Sequence, residues 1–367
     1  MKQVLLFMTL FVSFLFVSTL AAQDTKKLKL YGDFRFRTEM DRNSMKTNGS
    51  LRDDRDRMKY RLRFGFKYMV DNHFEFGGRI RSGNPLNQQS PHVTLGKEFH
   101  SDAFSIDKAY LKAKTDDGLW AWVGKNGMPF WEQNELLWDE DVNPEGVALG
   151  GKFKMGESAK LVPVFGYFIA GHAGKKFGDD NKLIMAQLKY SGAMGDNTLT
   201  FSSGYIAGKD IPDKPDGTGT YLLDYGIWAT SLQFKLKKAG IIIGADFFKN
   251  LQDYKGNADM NDVYEDQTSG YVASISYHIK KIQLAYYYAH IEKFAVVDFL
   301  AQDDWVRWGN GNYTRSSNFE GHEFRVKYKI NKKFNTVLRA YLIDGIVTTG
   351  KALETGTRIR LDFDVKF

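Results

Sequence analysis

The chain ends T-R-I-R-L-D-F-D-V-K-F over Thr357 to Phe367, where Ile359, Leu361, Phe363, Val365 and Phe367 alternate strictly with Arg358, Arg360, Asp362, Asp364 and Lys366. Successive side chains of a strand point to opposite faces, so this segment has one oily face and one charged face. A strand that shows lipid on one side and water on the other has this pattern, and it satisfies its backbone in a membrane only within a closed sheet. The rest of the chain must supply the other staves.

Other segments repeat the pattern. Tyr60, Leu62, Phe64, Phe66, Tyr68 and Val70 oppose Arg61, Arg63, Gly65 and Lys67; Phe74, Phe76, Gly78 and Ile80 oppose Glu75, Arg79 and Arg81; Phe324, Val326, Tyr328 and Ile330 oppose Glu323, Arg325, Lys327 and Lys329. Turn signals divide the chain into segments of about ten residues, enough to cross the hydrocarbon at a tilt of ~45°. Strands are predicted to begin near Leu28, Arg57, His73, Ser105, Leu119, Gly146, Lys160, Lys182, Thr198, Leu222, Gly240, Ser269, Lys281, Gly321, Lys332 and Gly356. Short connections such as Asp71-Asn72, Asp116-Asp117-Gly118 and Asn331 alternate with long polar ones such as Gly83 to Phe104, Asn126 to Glu145 and Glu292 to Glu320. The expected fold is all-β: a transmembrane, antiparallel, up-and-down β-barrel of about 16 strands over residues 23–367, with short periplasmic turns and long extracellular loops. Counts of 14 and 18 stay open, because the strands beginning near Ser105, Leu119 and Leu222 alternate poorly. A soluble β-sandwich is the competing architecture, but so many apolar faces would overfill its core.

Ahead of the first strand, Lys2, the apolar run Val4 to Val17 and the exit Ser18-Thr19-Leu20-Ala21-Ala22 follow the plan of a secretory signal peptide over residues 1–22. No later apolar run approaches the ~18 to 20 residues of a spanning helix. There is no cysteine, hence no lipid-attachment thiol and no disulfide framework.

Several stretches carry a resemblance. They are Gly32-Asp33-Phe34-Arg35-Phe36-Arg37, Arg55-Asp56-Arg57-Met58-Lys59-Tyr60-Arg61-Leu62-Arg63, Phe76-Gly77-Gly78-Arg79-Ile80 with Ser82-Gly83, and Asp107-Lys108-Ala109-Tyr110-Leu111. Gly124-Lys125 to Pro129-Phe130 follows, and then Leu137-Trp138-Asp139-Glu140-Asp141-Val142-Asn143-Pro144-Glu145-Gly146. From about residue 30 to 150 the chain thus resembles the putative porin family of Gram-negative outer membranes, similar in style to the phosphate-selective porins. The resemblance implies a diffusion channel in the cell outer membrane, set among outer-membrane lipid and lipopolysaccharide, and a homotrimer. The closing strand ending at Phe367 looks like the signal read by the barrel-assembly machinery. The solute is left open.

If the apolar faces meet lipid, the opposite faces line a lumen rich in cations: Arg35, Arg37, Arg61, Arg63, Lys67, Arg79, Arg81, Lys108, Lys112, Lys152, Lys154, Arg325, Lys327, Arg339, Arg358 and Arg360. The acids on the same faces are Asp33, Glu75, Glu323, Asp362 and Asp364. Such a surplus between low-dielectric walls concentrates anions, so the expected channel passes small polar, preferentially anionic solutes. The loop from Asn126 to Glu145 carries Trp131, Glu132, Glu135, Trp138, Asp139, Glu140 and Asp141, and by porin analogy it folds inward as an acidic constriction, an outward-facing surface loop being the alternative. The alternative is a substrate-specific transporter or receptor, with Trp305, Arg307, Trp308 and Tyr313 of the Glu292 to Glu320 loop capping the pore or stacking on a sugar. An enzyme is not expected. There is no G-x-S-x-G and no H-E-x-x-H, which leaves as dyad candidates the pair His290 and Glu292 or a distant Ser. The acidic runs at Asp53 to Asp56 and Asp139 to Asp141 lack the twelve-residue calcium pattern, so neither metal nor cofactor is expected. Nucleic acid is not a partner either, since the cations alternate with apolar residues instead of clustering.

Overall fold

The computed structural model describes residues 27–172, 174, 176–213, 221–257, 261–308 and 316–367. The expected signal peptide and Tyr313 lie outside them. Antiparallel segments form one closed sheet: β1 (Leu28–Arg42), β2 (Arg55–Met69), β3 (Phe74–Arg81), β4 (Ser105–Lys114), β5 (Trp120–Lys125), β6 (Glu145–Gly150, resumed at Phe153–Met155), β7 (Ala159–Gly171) and β8 (Asn181–Met194). The circuit continues with β9 (Asn197–Asp213), β10 (Tyr221–Leu236), β11 (Ile241–Asn250), β12 (Ser269–Ile279), β13 (Ile282–Ile291), β14 (Phe319–Lys329), β15 (Phe334–Gly345) and β16 (Thr355–Lys366). A two-residue clip, Val93–Thr94, pairs with β2 from inside a loop and is not a stave, so the barrel has 16 strands. Each begins within two residues of the position expected from sequence.

Closure is made by β1 and β16, paired from Asp33 with Lys366 to Arg42 with Thr357. One step further, Gly32 and Phe367 exchange two backbone hydrogen bonds of 3.1 Å. The Phe367 ring occupies the space a side chain at residue 32 would need, since a Cβ there would sit 2.5 Å from the ring.

The short rim is built by local side-chain chemistry. Asp71 accepts from the backbone N–H groups of His73 and Phe74 at 2.7 and 2.8 Å, and Asn331 accepts from those of Lys333 and Phe334 at 2.8 and 2.9 Å. Such Asx turns fix the hairpins without tertiary help.

Around the circumference, Phe34, Phe64, Ile80, Leu111, Leu149, Phe201, Leu232, Ile275, Val326 and Phe363 are exposed. An apolar belt of this extent on a soluble chain would be an aggregation surface; on a closed barrel it is the lipid face. The buried core is instead inside the barrel. Phe294, Ala295, Val296, Val297, Leu300, Ala301, Trp305, Val306 and Trp308, from the loop between β13 and β14, pack with Leu136, Trp138 and Val142 of the loop between β5 and β6. Inward residues of the walls, such as Phe168, Met185, Ile227, Phe248 and Tyr341, complete the cluster.

Candidate functional site

Strand alternation puts β1, β2, β15 and β16 side by side with their charged faces inward. There Arg37 clamps Asp362 through Nε and Nη2 at 2.6 and 3.1 Å, and Arg35 donates to Asp364 at 2.5 Å. Arg360 donates to Glu39 at 2.8 Å and Arg358 to Asp41 at 2.7 Å. Arg61 and Arg63 share Asp33, at 3.1 and 2.8 Å. Arg325 binds Glu323 through two bonds of 2.6 and 2.9 Å, and Arg79 is paired with Asp107. Arg339 reaches Asp304 and Asp362 at 3.2 and 3.3 Å.

This wall is more balanced than the sequence reading held. Glu39, Asp41, Asp107 and Asp304 are carboxylates of the wall that the reading omitted. Glu39 and Asp41 were legible, because they continue the inward alternation of Asp33, Arg35 and Arg37. Asp107 was not: the register between β3 and β4 slips at Arg79, which turns both Asp107 and Lys108 away from the lipid face. Asp304 comes from a distant loop and left no local signal.

Other expected pore-lining residues have different surroundings. Arg81 donates to the backbone carbonyls of Asn87 and Gln88 at 2.6 and 3.1 Å, and Arg358 to those of Asp304 and Val306 at 2.8 and 3.0 Å, so both tether loops. Lys112 lies over the Trp120 ring, 5.1 Å from its centroid. Lys152 sits at the break in β6 and Lys154 beyond it, both exposed near the short rim, while Lys327 is half-buried on β14. Lys67 is within 3.7 Å of Glu75.

The loop 126–144 crosses the lumen. Trp131 and Gln187 of β8 exchange two hydrogen bonds of 2.8 and 3.0 Å, and Gln133 and Asn134 donate to Asp246 of β11 at 2.9 and 2.6 Å. Asp139 donates its N–H to the Leu300 carbonyl at 2.8 Å, and Trp138 is held by its indole N–H on the Val142 carbonyl at 2.9 Å. Asp141 then meets Arg61 at 3.2 Å and pairs with Arg63 on β2. Burial opposes ionisation of Asp141, but Arg63 and Arg61 outweigh it and hold the carboxyl below the usual range. Glu132, Glu135 and Asp139 go the other way: burial first, then neighbouring acids, raise all three, Glu135 to about 8. Burial and Asp304 push Asp303 up to about 6, whereas Arg360, Arg37 and Arg339 overcome burial to keep Asp304 ionised.

Between wall and loop is a narrow space of about 100 Å³, bounded by Arg35, Arg37 and Arg339 on one side and Glu135, Asp139, Glu140 and Asp141 on the other. His92 and Asp303 also border it, and both border a second cavity of about 250 Å³ toward the long-loop rim, lined by Arg55, Arg57, Lys59, Arg307 and Arg360. Burial and the surrounding arginines push His92 well below its usual range, so it is neutral.

Trp305 and Trp308 are buried at 5 % and 2 % exposure, so neither offers a ring face to a sugar, and Arg307 donates to the Asp53 carbonyl at 2.7 Å. His290 lies on the outward face of β13, 2.9 Å from Glu320, 3.8 Å from Glu292 and stacked on Tyr271. No serine or threonine hydroxyl is hydrogen-bonded to its imidazole among the described residues.

Residues 43–189 match the family described as putative porin. Over that stretch the chain is similar to putative porins. The fold agrees along nearly the whole length. Salmonella typhi OmpF in complex with daunomycin is 11 % identical with a TM-score of 0.57, covering 93 % of this chain and 97 % of its own. In-vitro folded OmpT of Vibrio cholerae, an outer membrane protein in its trimer form, is 12 % identical at 0.53, covering 93 % and 99 %. A triple mutant of the Rhodopseudomonas blastica porin is 11 % identical at 0.52, covering 92 % and 99 %. No curated protein matches this chain. The fold is the 16-stranded outer-membrane β-barrel that these structures share.

Proposed function

We propose that this porin passes small polar solutes, anions in preference to cations, along the arginine wall of β1, β2, β15 and β16. The observation that carries the reading is the narrow space in which Arg35, Arg37 and Arg339 face the carboxylates of the inward loop. Opposed charges across a constriction sort solutes by sign and dipole as well as size. Among the charged residues that line the cavity on its outer side cations outnumber acids, with Asp303 the one acid of that lining, which draws anions to the narrow point. The packing of Phe294 to Trp308 inside the barrel favours a channel for small ions over wide sieving. Export by cleavage of residues 1–22 and assembly as a homotrimer belong to the same reading; the trimer form of the Vibrio cholerae protein supports the latter.

The test is single-channel recording in a planar bilayer under a tenfold potassium chloride gradient. The expected reversal potential has the sign of chloride preference, and cation preference would overturn the selectivity. Deleting Glu132 to Asp141 should raise conductance, and unchanged conductance would place the constriction elsewhere.

A further inference from the structure

On the lumenal face of β1 to β4, two adjacent rows of the sheet place like charges directly opposite one another. One row runs Lys29, Lys67, Gly77, Tyr110 across the four strands, and the next runs Tyr31, Gly65, Arg79, Lys108. Lys29 therefore faces Lys67, and Arg79 faces Lys108. Opposed like charges weaken an antiparallel pair, so this arrangement costs the fold stability unless something neutralises it.

The glycine in each row serves a tyrosine. A Cβ on Gly65 would come 2.6 Å from Tyr31 Cζ, and one on Gly77 would come 2.4 Å from Tyr110 Cζ, so both rings lie flat over glycine and leave the lumen open above the wall. With Asn126, the four cations and the two tyrosines of these rows line an open cavity of about 400 Å³.

The carboxylates at hand are too few. Glu75 accepts from the Tyr110 hydroxyl at 2.7 Å and lies 3.7 Å from Lys67; Asp107 is paired with Arg79 and accepts from Asn143 at 2.7 Å. Four cations, Lys29, Lys67, Arg79 and Lys108, against these two carboxylates leave two positive charges. Among the described residues no carboxylate comes within ion-pair distance of Lys29 or Lys108. The Arg79 side chain is 10 % exposed, and its Nη2 is buried without a hydrogen-bond partner.

We propose that this cavity is a binding site for a small organic dianion, a dicarboxylate or a phosphate monoester, held between the two cation pairs. Two negative charges match the residual charge, and the volume has room for a carbon skeleton that chloride would not fill. The proposal deepens the reading of the lumen as anion-passing and rests on it for access, but it is tested apart from it.

The experiment records chloride current through the full-length protein in planar bilayers while potassium succinate or potassium glycerol phosphate is added, with potassium acetate at matched ionic strength as the monoanion. The dianions should reduce the current saturably and acetate should not. The double variant K67Q/K108Q should raise the half-blocking concentration on the order of tenfold, equivalent to about 1.4 kcal/mol. K67R/K108R, which keeps both charges, should recover block relative to K67Q/K108Q, and K332Q, on the turn between β14 and β15, should block as the parent does. Block by both dianions supports the shared chemistry; block by one alone supports the site and assigns it to carboxylates or to phosphate monoesters. Absence of saturable block in a conducting channel, or block unchanged in K67Q/K108Q, would overturn the site. Saturable block in a channel that prefers cations under the chloride gradient would overturn the selectivity and leave the site standing.

Discussion

Asp141 ties the inward loop to the barrel wall, because one carboxylate serves Arg61 and Arg63 on β2 while its own loop spans the lumen. It is nearly buried, at 6 % exposure, and removing one member of a buried pair leaves the other charge uncompensated, a loss of about 3 to 5 kcal/mol. Asp141→Asn should therefore loosen the loop and add positive field at the constriction. Single-channel records are expected to show larger, noisier openings with stronger chloride preference; conductance and selectivity equal to the parent would mean that the pair does not shape the pore. This contact was half visible in the sequence. The alternation of β2 turns Arg61 and Arg63 inward, but nothing near Asp141 says which wall it will reach.

At the level of elements, the strands were legible because each stave is a local object, fixed by period-two alternation and by turns such as those at Asp71 and Asn331. Strands that alternate poorly, such as β4, still began where expected because their flanking turns are clear. The loops were not legible to the same degree. The inward fold of 126–144 is written in acceptors on β8 and β11, at Gln187 and Asp246, far along the chain from the donors they meet. The burial of Trp305 likewise depends on Tyr341 and Phe319, so aromatic content alone suggested a surface that the fold hides. The seam between β1 and β16 offers a test of how closure is secured. Gly32→Val would drive a side chain into the Phe367 ring and toward the Arg63 carbonyl, 2.6 Å from an ideal Cβ. Overpacking of this kind costs about 1 to 3 kcal/mol, so the variant should fold to a barrel of lower thermal stability, read by heat-dependent gel migration. Unaltered migration would show that the terminal ring can swing aside.

For the whole molecule, the constriction should respond to pH through its loop acids. Asp303 titrates near 6 and Glu135 near 8, both raised by burial and by neighbouring carboxylates, while Asp141 and Asp304 stay ionised beside their arginines and His92 stays neutral. A carboxyl whose pKa is raised by folding is neutral in the docked loop at acidic pH and acquires charge as pH rises through the raised value. The same shift means that docking is strongest below the ordinary carboxylate range and weakens as pH climbs, fully so above the raised value. Between pH 5 and pH 9 Asp303 and Glu135 thus each add a negative charge opposite Arg37 and Arg339, and the proposed chloride preference should fall at steps near 6 and 8. Asp303→Asn should remove the lower step and Glu135→Gln the upper one, each read as reversal potential against pH at constant chloride gradient. A reversal potential flat across that range would mean that both carboxyls keep one protonation state throughout, and the charge balance at the constriction would then be set by the arginine wall alone.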